Sequence, residues 1–200
     1  MRNIIIVQCM STGKNYVQDI IDRNCNPIIL EMLPFGDNEE AIAYKDEVRA
    51  EYDLIDNEFD LIYEKDTYEE TLEMVRGYDP LVIVPGTEDG VILATRLAND
   101  LNLLCNPIEN IDALTLKDEI DKRFAENGLR SIKEAIEFYD SENLTGVVVK
   151  PQYGAASVGV RLCSNRQEMI DAVNEVFTLT GVYGNELKEL VIQERIRGQE

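Results

Sequence analysis

Residues 146–160 read GVVVKPQYGAASVGV. Three valines run into Lys150, and a loop of small residues follows at once. A lysine held inside an apolar strand is costly unless it finds a partner. A lone lysine would reach out to solvent along its stem. Here Gly154, Ala155, Ala156, Ser157 and Gly159 leave backbone N–H groups accessible, which is how loops cradle anions. The combination predicts a nucleotide phosphate beside Lys150. Ordinary hairpin turns span about two to five residues. This connection is longer and fits a lid that closes over a ligand.

Two other segments invite a chemical reading. STGK (11–14) contains the end of a phosphate loop but lacks its spacing, because Gln8 stands where that motif needs glycine and Asn15 where it needs Ser or Thr. Ser11 or Thr12 is then expected to cap a helix, with Ser11, Thr12 and Gly13 as candidate contacts for a small ligand. VPGTEDGV (84–91) leaves a strand and enters a helix. Glu88 and Asp89 are expected in the first helical turn, where the helix dipole favours negative charge. The carboxyl edge of a parallel sheet is also where ligands bind, which makes Glu88 a candidate substrate contact.

Composition removes several classes of function. The 200 residues include no histidine, which excludes a histidine zinc site, a Ser-His-Asp triad and a Cys-His dyad within the chain. Cys9, Cys25, Cys105 and Cys163 are scattered with no C-x-x-C pair, as expected of reduced thiols in a cytoplasmic protein. With 39 acidic against 19 basic residues the net charge is −20. Such a chain repels nucleic-acid phosphates. The apolar run Ile4–Val7 is shorter than the roughly 7 to 15 residues of a secretory signal. No run approaches the ~20 apolar residues of a spanning helix, so no membrane association is expected.

The elements that must position these residues alternate. Strands are expected at 3–8, 27–33, 60–65 and 80–86. Between and after them, helices are expected at 13–24, 38–52, 66–77 and 87–103. PLVIVPG (80–86) is a continuous apolar run, the pattern of a strand covered on both faces. This order predicts a doubly wound parallel sheet, with the loops after the first and fourth strands at one edge. NPIENIDAL (106–114) marks a boundary. A helix at 115–127 ending at Gly128, a helical piece at 131–143, strands at 146–150 and 159–164, a helix from Ser164 or Asn165 to Phe177, and a strand at 189–196 complete the chain.

With VIQE and GQE at its end, the chain resembles the ATP-grasp enzymes, in particular the carboxylate–amine ligases that join amino acids. VQCMSTG resembles the first strand and turn of that family's N-terminal domain. VPGTEDGVILATRLANDLNLLCNP is similar to the family's PG-[ST]-E-x-GV-x-LA-x-x-LA segment, and LKDEIDKRFAENGL to the helix following its first nucleotide lysine. VVVKP with GAASVGV resembles the second lysine and the glycine-rich lid. The resemblance implies an α/β fold in two parts. Residues 1–110 would form the N-terminal doubly wound domain, and residues 111–200 the first part of the ATP-grasp domain.

It further implies that Lys117 and Lys150 hold the α- and β-phosphates of ATP, and that Gly154, Ala155, Ala156, Ser157 and Gly159 close over the β- and γ-phosphates. Gln193 and the carbonyl of Glu194 would face the adenine amino group, the N–H of Ile196 a ring nitrogen, and Glu200 the ribose hydroxyls. The lid carries alanines where serine and glycine are commoner in the family, and Arg195 stands where an aromatic is usual. The family's Mg²⁺ ligands and catalytic residues lie after the adenine hinge, so they are expected beyond Glu200, with residues 1–200 alone inactive. The activity implied is ATP-dependent joining of a small carboxylate to an amine, with a homodimer as the candidate assembly. A nucleotide-binding module without chemistry is the alternative, and a flavodoxin-like partner-binding domain is disfavoured by the two lysines and the lid.

Overall fold

The isoleucine run of β1 (Arg2–Val7) is buried from Ile4 onward, as a strand covered on both faces must be. β2 (Cys25–Glu31) pairs with it in parallel, from Arg2 opposite Cys25 to Val7 opposite Leu30. β3 (Asp60–Tyr63) and β4 (Pro80–Pro85) complete a four-stranded parallel sheet of order β3-β2-β1-β4. The computed structural model describes residues 1–34, 36–132, 146–181 and 183–196. Two compact units are present, Met1–Thr115 and Leu116–Glu200.

Helices follow the strands of the first unit. They are α1 (Asn15–Asp22), α2 (Glu39–Tyr52), α3 (Tyr68–Gly77) and α4 (Val91–Asp100). Local chemistry starts two of them. The Asn38 side chain accepts the Ala41 N–H at 2.8 Å, and Thr67 accepts the Glu70 N–H at 3.3 Å. The core joins Ile5, Val7, Ile28, Leu30 and Ile83 of the sheet to Val75, Leu93 and Leu97 of α3 and α4. This is the α/β parallel-sheet architecture expected from the alternating pattern.

Three local expectations are corrected. β2 starts two residues early and ends at Glu31, because its register follows β1. Ser11–Lys14 form a 3₁₀ turn leading into α1, and neither Ser11 nor Thr12 caps the helix with its side chain. α4 begins at Val91, so Glu88 and Asp89 precede it instead of occupying its first turn.

In the second unit, α5 (Lys117–Glu126) ends at Gly128, whose φ of 69° supplies the left-handed stop. β5 (Val147–Pro151), β6 (Arg161–Cys163) and β7 (Leu190–Glu194) form an antiparallel sheet of order β6-β5-β7. α6 (Arg166–Val176), capped by Asn165, packs Ala172 and Val176 on Val147, Val149 and Cys163. Val147, Val149 and Ile192 lie on that covered face. Alternation therefore places Val148, Lys150, Val191 and Gln193 on the other. The helical expectation at 131–143 falls, from residue 133, outside the described residues.

Candidate functional site

Lys150 is half-buried on the face of the second sheet opposite α6. Burial strips water from its ammonium and pulls its pKa below the ordinary lysine value, while the Asp121 carboxylate pulls the other way. A lysine so placed is a poorly solvated cation, which favours an anionic partner.

The loop after β5 is anchored at its base. The Lys117 backbone N–H and ammonium both donate to the Gln152 carbonyl at 3.3 Å, and the ammonium also donates to the Gly154 carbonyl at 3.1 Å. Gln152 returns a bond from its side-chain amide to Asp118 at 2.6 Å. Lys117 is therefore brought to the start of the loop that Lys150 precedes. Four loop residues, Gly154, Ala156, Ser157 and Gly159, have φ between 55° and 141°. For Ala156 and Ser157 this conformation costs about 1–2 kcal/mol each. Turn bonds from Val158 to Ala155 and from Val160 to Ser157 hold the two residues there. Gly159 has Pro151 beneath it, where a β-carbon would stand 3.0 Å from the ring.

Among the described residues, β7 is one of the two edge strands of its sheet. The Arg195 N–H donates to the Gly146 carbonyl at 3.1 Å, which extends the β5–β7 ladder by one residue. N–H and C=O groups of successive strand residues point to opposite sides. The Glu194 carbonyl, on the far side of the same trans peptide, is thereby turned to the outer edge. A cleft of about 460 Å³ is lined by Leu190, Val191 and Ile192 of this strand with Asp118, Gln152 and Phe177. Gln193 is 3% exposed and its amide nitrogen donates to Asp121. The Glu194 side chain takes a 3.4 Å bond from Arg130. Glu200 lies outside the described residues.

At the carboxyl edge of the parallel sheet, Gly13 is buried, Ser11 and Thr12 are exposed, and Glu88 is half-buried. The turn is tied to α2. Glu51 accepts the Ser11 N–H at 3.1 Å and the Lys14 ammonium at 2.7 Å, and this pairing lowers its pKa. Asp89, in contrast, is buried and accepts the Tyr44 hydroxyl at 2.7 Å.

Reasoning from the sequence missed Glu31. It ends β2, is 1% exposed, and meets Arg49 at 3.2 Å and Lys45 at 3.4 Å through one carboxylate oxygen. Its other oxygen and the Tyr52 hydroxyl are buried without a hydrogen-bond partner. The signal was present in PIILEML, a charge closing an apolar run, the same pattern that singled out Lys150. Asp121 was missed because its partners come from distant segments.

Among the described residues, no group of three or more histidine, cysteine, aspartate or glutamate side chains is placed to hold a metal ion. No described helix is long and apolar enough to cross a membrane.

Residues 114–200 match the family described as phosphoribosylglycinamide synthetase, ATP-grasp (A) domain. Among solved structures, the chain is similar to an L-amino acid ligase from Bacillus licheniformis, with 16% identity and a TM-score of 0.61 over 99% of this chain and 45% of that one. A phosphoribosylglycinamide synthetase from Anaerococcus prevotii gives 14% identity and a TM-score of 0.55 over 98% and 46%. An N5-carboxyaminoimidazole synthetase from Staphylococcus aureus, complexed with ADP, gives 14% and 0.59 over 97% and 46%. The chain thus spans about half the length of these structures. No curated protein sequence matches it.

Proposed function

We propose, for a chain whose residues 114–200 match an ATP-grasp domain family, that it binds ATP and serves an ATP-dependent ligase joining a small carboxylate to an amine. In this reading residues 1–110 are the N-terminal domain and residues 111–200 belong to the nucleotide-binding domain. One observation carries it. The outer edge of β7 offers the Glu194 carbonyl, and an extended continuation of the backbone to Ile196 would set its N–H beside it, the complement of an adenine amino group and its neighbouring ring nitrogen. Lys150 lies on one face of the same sheet, two residues before the loop whose base Lys117 holds. Two cations and a run of backbone donors in the same unit support a nucleotide whose phosphates extend from this edge toward them.

The chain's own residues then have distinct tasks. Lys150 and Lys117 offset phosphate charge, and Lys117 would exchange loop carbonyls for phosphate oxygens. Gly154, Ala155, Ala156, Ser157 and Gly159 supply N–H groups to the β- and γ-phosphates as the loop closes. Activation of the carboxylate would be transfer of the γ-phosphoryl group to it, giving an acyl phosphate that the amine attacks with release of phosphate. Ser11, Thr12, Gly13 and Glu88 are assigned to the substrate edge of the parallel sheet. Phosphoryl transfer of this kind uses Mg²⁺ to neutralise developing charge. The described residues offer no group of three or more histidine, cysteine, aspartate or glutamate side chains to hold it.

Titration calorimetry with ATP and ADP tests the reading. Lys150→Ala removes a charge-assisted contact worth on the order of 1.5–3 kcal/mol, about tenfold or more in affinity. Ile196→Pro deletes the N–H that meets the base and should weaken ATP by a similar factor. Equal affinity in wild type and both variants would sink the nucleotide assignment.

A further inference from the structure

Asp121 lies on α5 and holds a strand residue that the nucleotide reading needs. One of its carboxylate oxygens accepts the Ile132 N–H at 3.3 Å, and the other accepts the side-chain amide nitrogen of Gln193. Gln193 is almost fully buried, stands opposite Val148, and shares its face of the sheet with Lys150. The carboxylate is thus fixed between a backbone donor and a side-chain donor, with the Lys150 ammonium close enough to feel its charge.

A glutamine amide has two unlike ends. Its NH₂ only donates and its oxygen only accepts, and an ionised carboxylate only accepts. Asp121 can therefore bond the nitrogen end alone. That choice fixes which way the amide is flipped, a choice the two nearly isosteric ends would not make by themselves. The amide oxygen is left as the end presented away from α5.

We propose that Asp121 is a positioning residue that orients the Gln193 amide so that its oxygen meets the exocyclic amine of a bound base, selecting 6-amino over 6-oxo purine nucleotides. This rests on β7 being the adenine edge. An amine at C6 would donate to two acceptors, the Glu194 carbonyl and the Gln193 oxygen. A carbonyl at C6 would face both of them with no proton between, and a buried polar group left unpaired is disfavoured. Sites built to pair a particular donor reject the analogue lacking it strongly.

The test compares ATP with inosine triphosphate, whose base carries a carbonyl at C6 and a proton at N1. The Ile196 N–H rejects that N1 proton equally in all forms of the protein, so changes in the affinity ratio report on Gln193. Wild type should favour ATP by about 100-fold. Asp121→Asn can donate as well as accept, which frees the Gln193 amide to flip, and the ratio should fall by about tenfold or more. Asp121→Glu keeps the carboxylate and should restore most of it. A merely structural contact would lower both affinities together and leave the ratio alone. If Asp121→Asn does not fold, Asp121→Ala removes the acceptor at a helix position that tolerates alanine.

Gln193→Leu separates the two levels of the reading. If it lowers the ratio while a folded Asp121 variant leaves it unchanged, the positioning role is overturned and the adenine edge stands. If Gln193→Leu also leaves the ratio unchanged, Gln193 does not meet the base and the adenine edge itself is wrong there. A folded Asp121→Asn protein that binds neither nucleotide likewise overturns a role confined to selectivity.

Discussion

Gly13 and Gly86 meet backbone to backbone, where the turn after β1 crosses the turn after β4. A β-carbon on Gly13 would overlap the Gly86 carbonyl oxygen, and one on Gly86 would stand 2.5 Å from the Gln8 carbonyl oxygen. The obstruction is main chain, which cannot swing aside as a side-chain tip can. These glycines let the two turns at the carboxyl edge of the sheet close on each other.

Gly13→Ala should therefore destabilise the first unit by about 1–3 kcal/mol, the usual cost of overpacking. Gly77→Ala is the control, since nothing lies within 4 Å of its added β-carbon. Hydrogen exchange across β1 and β4 reads this unit alone. Equal protection in the two variants would show that the turns can separate without loss.

Glu31 staples α2 to β2 from inside the fold. Glu31→Ala leaves Lys45 and Arg49 facing a site their partner has vacated, and breaking such a buried pair costs on the order of 3 kcal/mol. Lys45→Met should cost about 1 kcal/mol or less, because Arg49 still reaches the same oxygen at 3.2 Å and the lysine is partly in solvent. Exchange rates of β2 amides should order the variants this way. A Lys45→Met protein as damaged as Glu31→Ala would mean that Arg49 does not compensate.

Burial pushes the Cys9 thiol up to about 12, with Lys14 pulling weakly against it. Reactivity follows the thiolate, so Cys9 should resist alkylation in the native protein at neutral pH. Cys25 and Cys105 are partly exposed and should be labelled first. Peptide mass mapping after a short alkylation distinguishes them. Labelling of Cys9 as fast as Cys25 would show that the 9–14 turn opens readily from α2.

The lowered pKa of Lys150 gives nucleotide binding a pH dependence. Its folded pKa lies below the ordinary value of 10.5. Between the two values the unfolded chain binds more protons, so this group's contribution to stability rises with pH across that window. The proposed phosphate contact would behave oppositely, because it needs the ammonium. ATP affinity should fall as pH rises through the lowered pKa, before 10.5 is reached. Lys150→Arg, which keeps its charge, should flatten that fall. An unchanged alkaline profile in the arginine variant would assign the dependence to another group.

Much of this was legible in the sequence. Alternating apolar runs and amphipathic segments dictate strands and helices, since each must hide an apolar face. The order of GVVVK, a small-residue loop and VIQE places Lys150, that loop and Gln193 on neighbouring elements. The sequence failed where meaning depends on what crosses from elsewhere. Asp89 reads as a helix-start residue and is instead a buried acceptor for Tyr44, 45 positions away. Asp121 reads as one acid on a solvated helix, yet 72 positions separate it from the Gln193 amide it orients. Glu31 reads as a strand-end charge, and only the packing of α2 supplies its cations. Local pattern determines which backbone forms a strand or helix because those bonds span few residues. Which polar groups meet, and which lose their water, is decided by long-range register, and that exists only once the chain has folded.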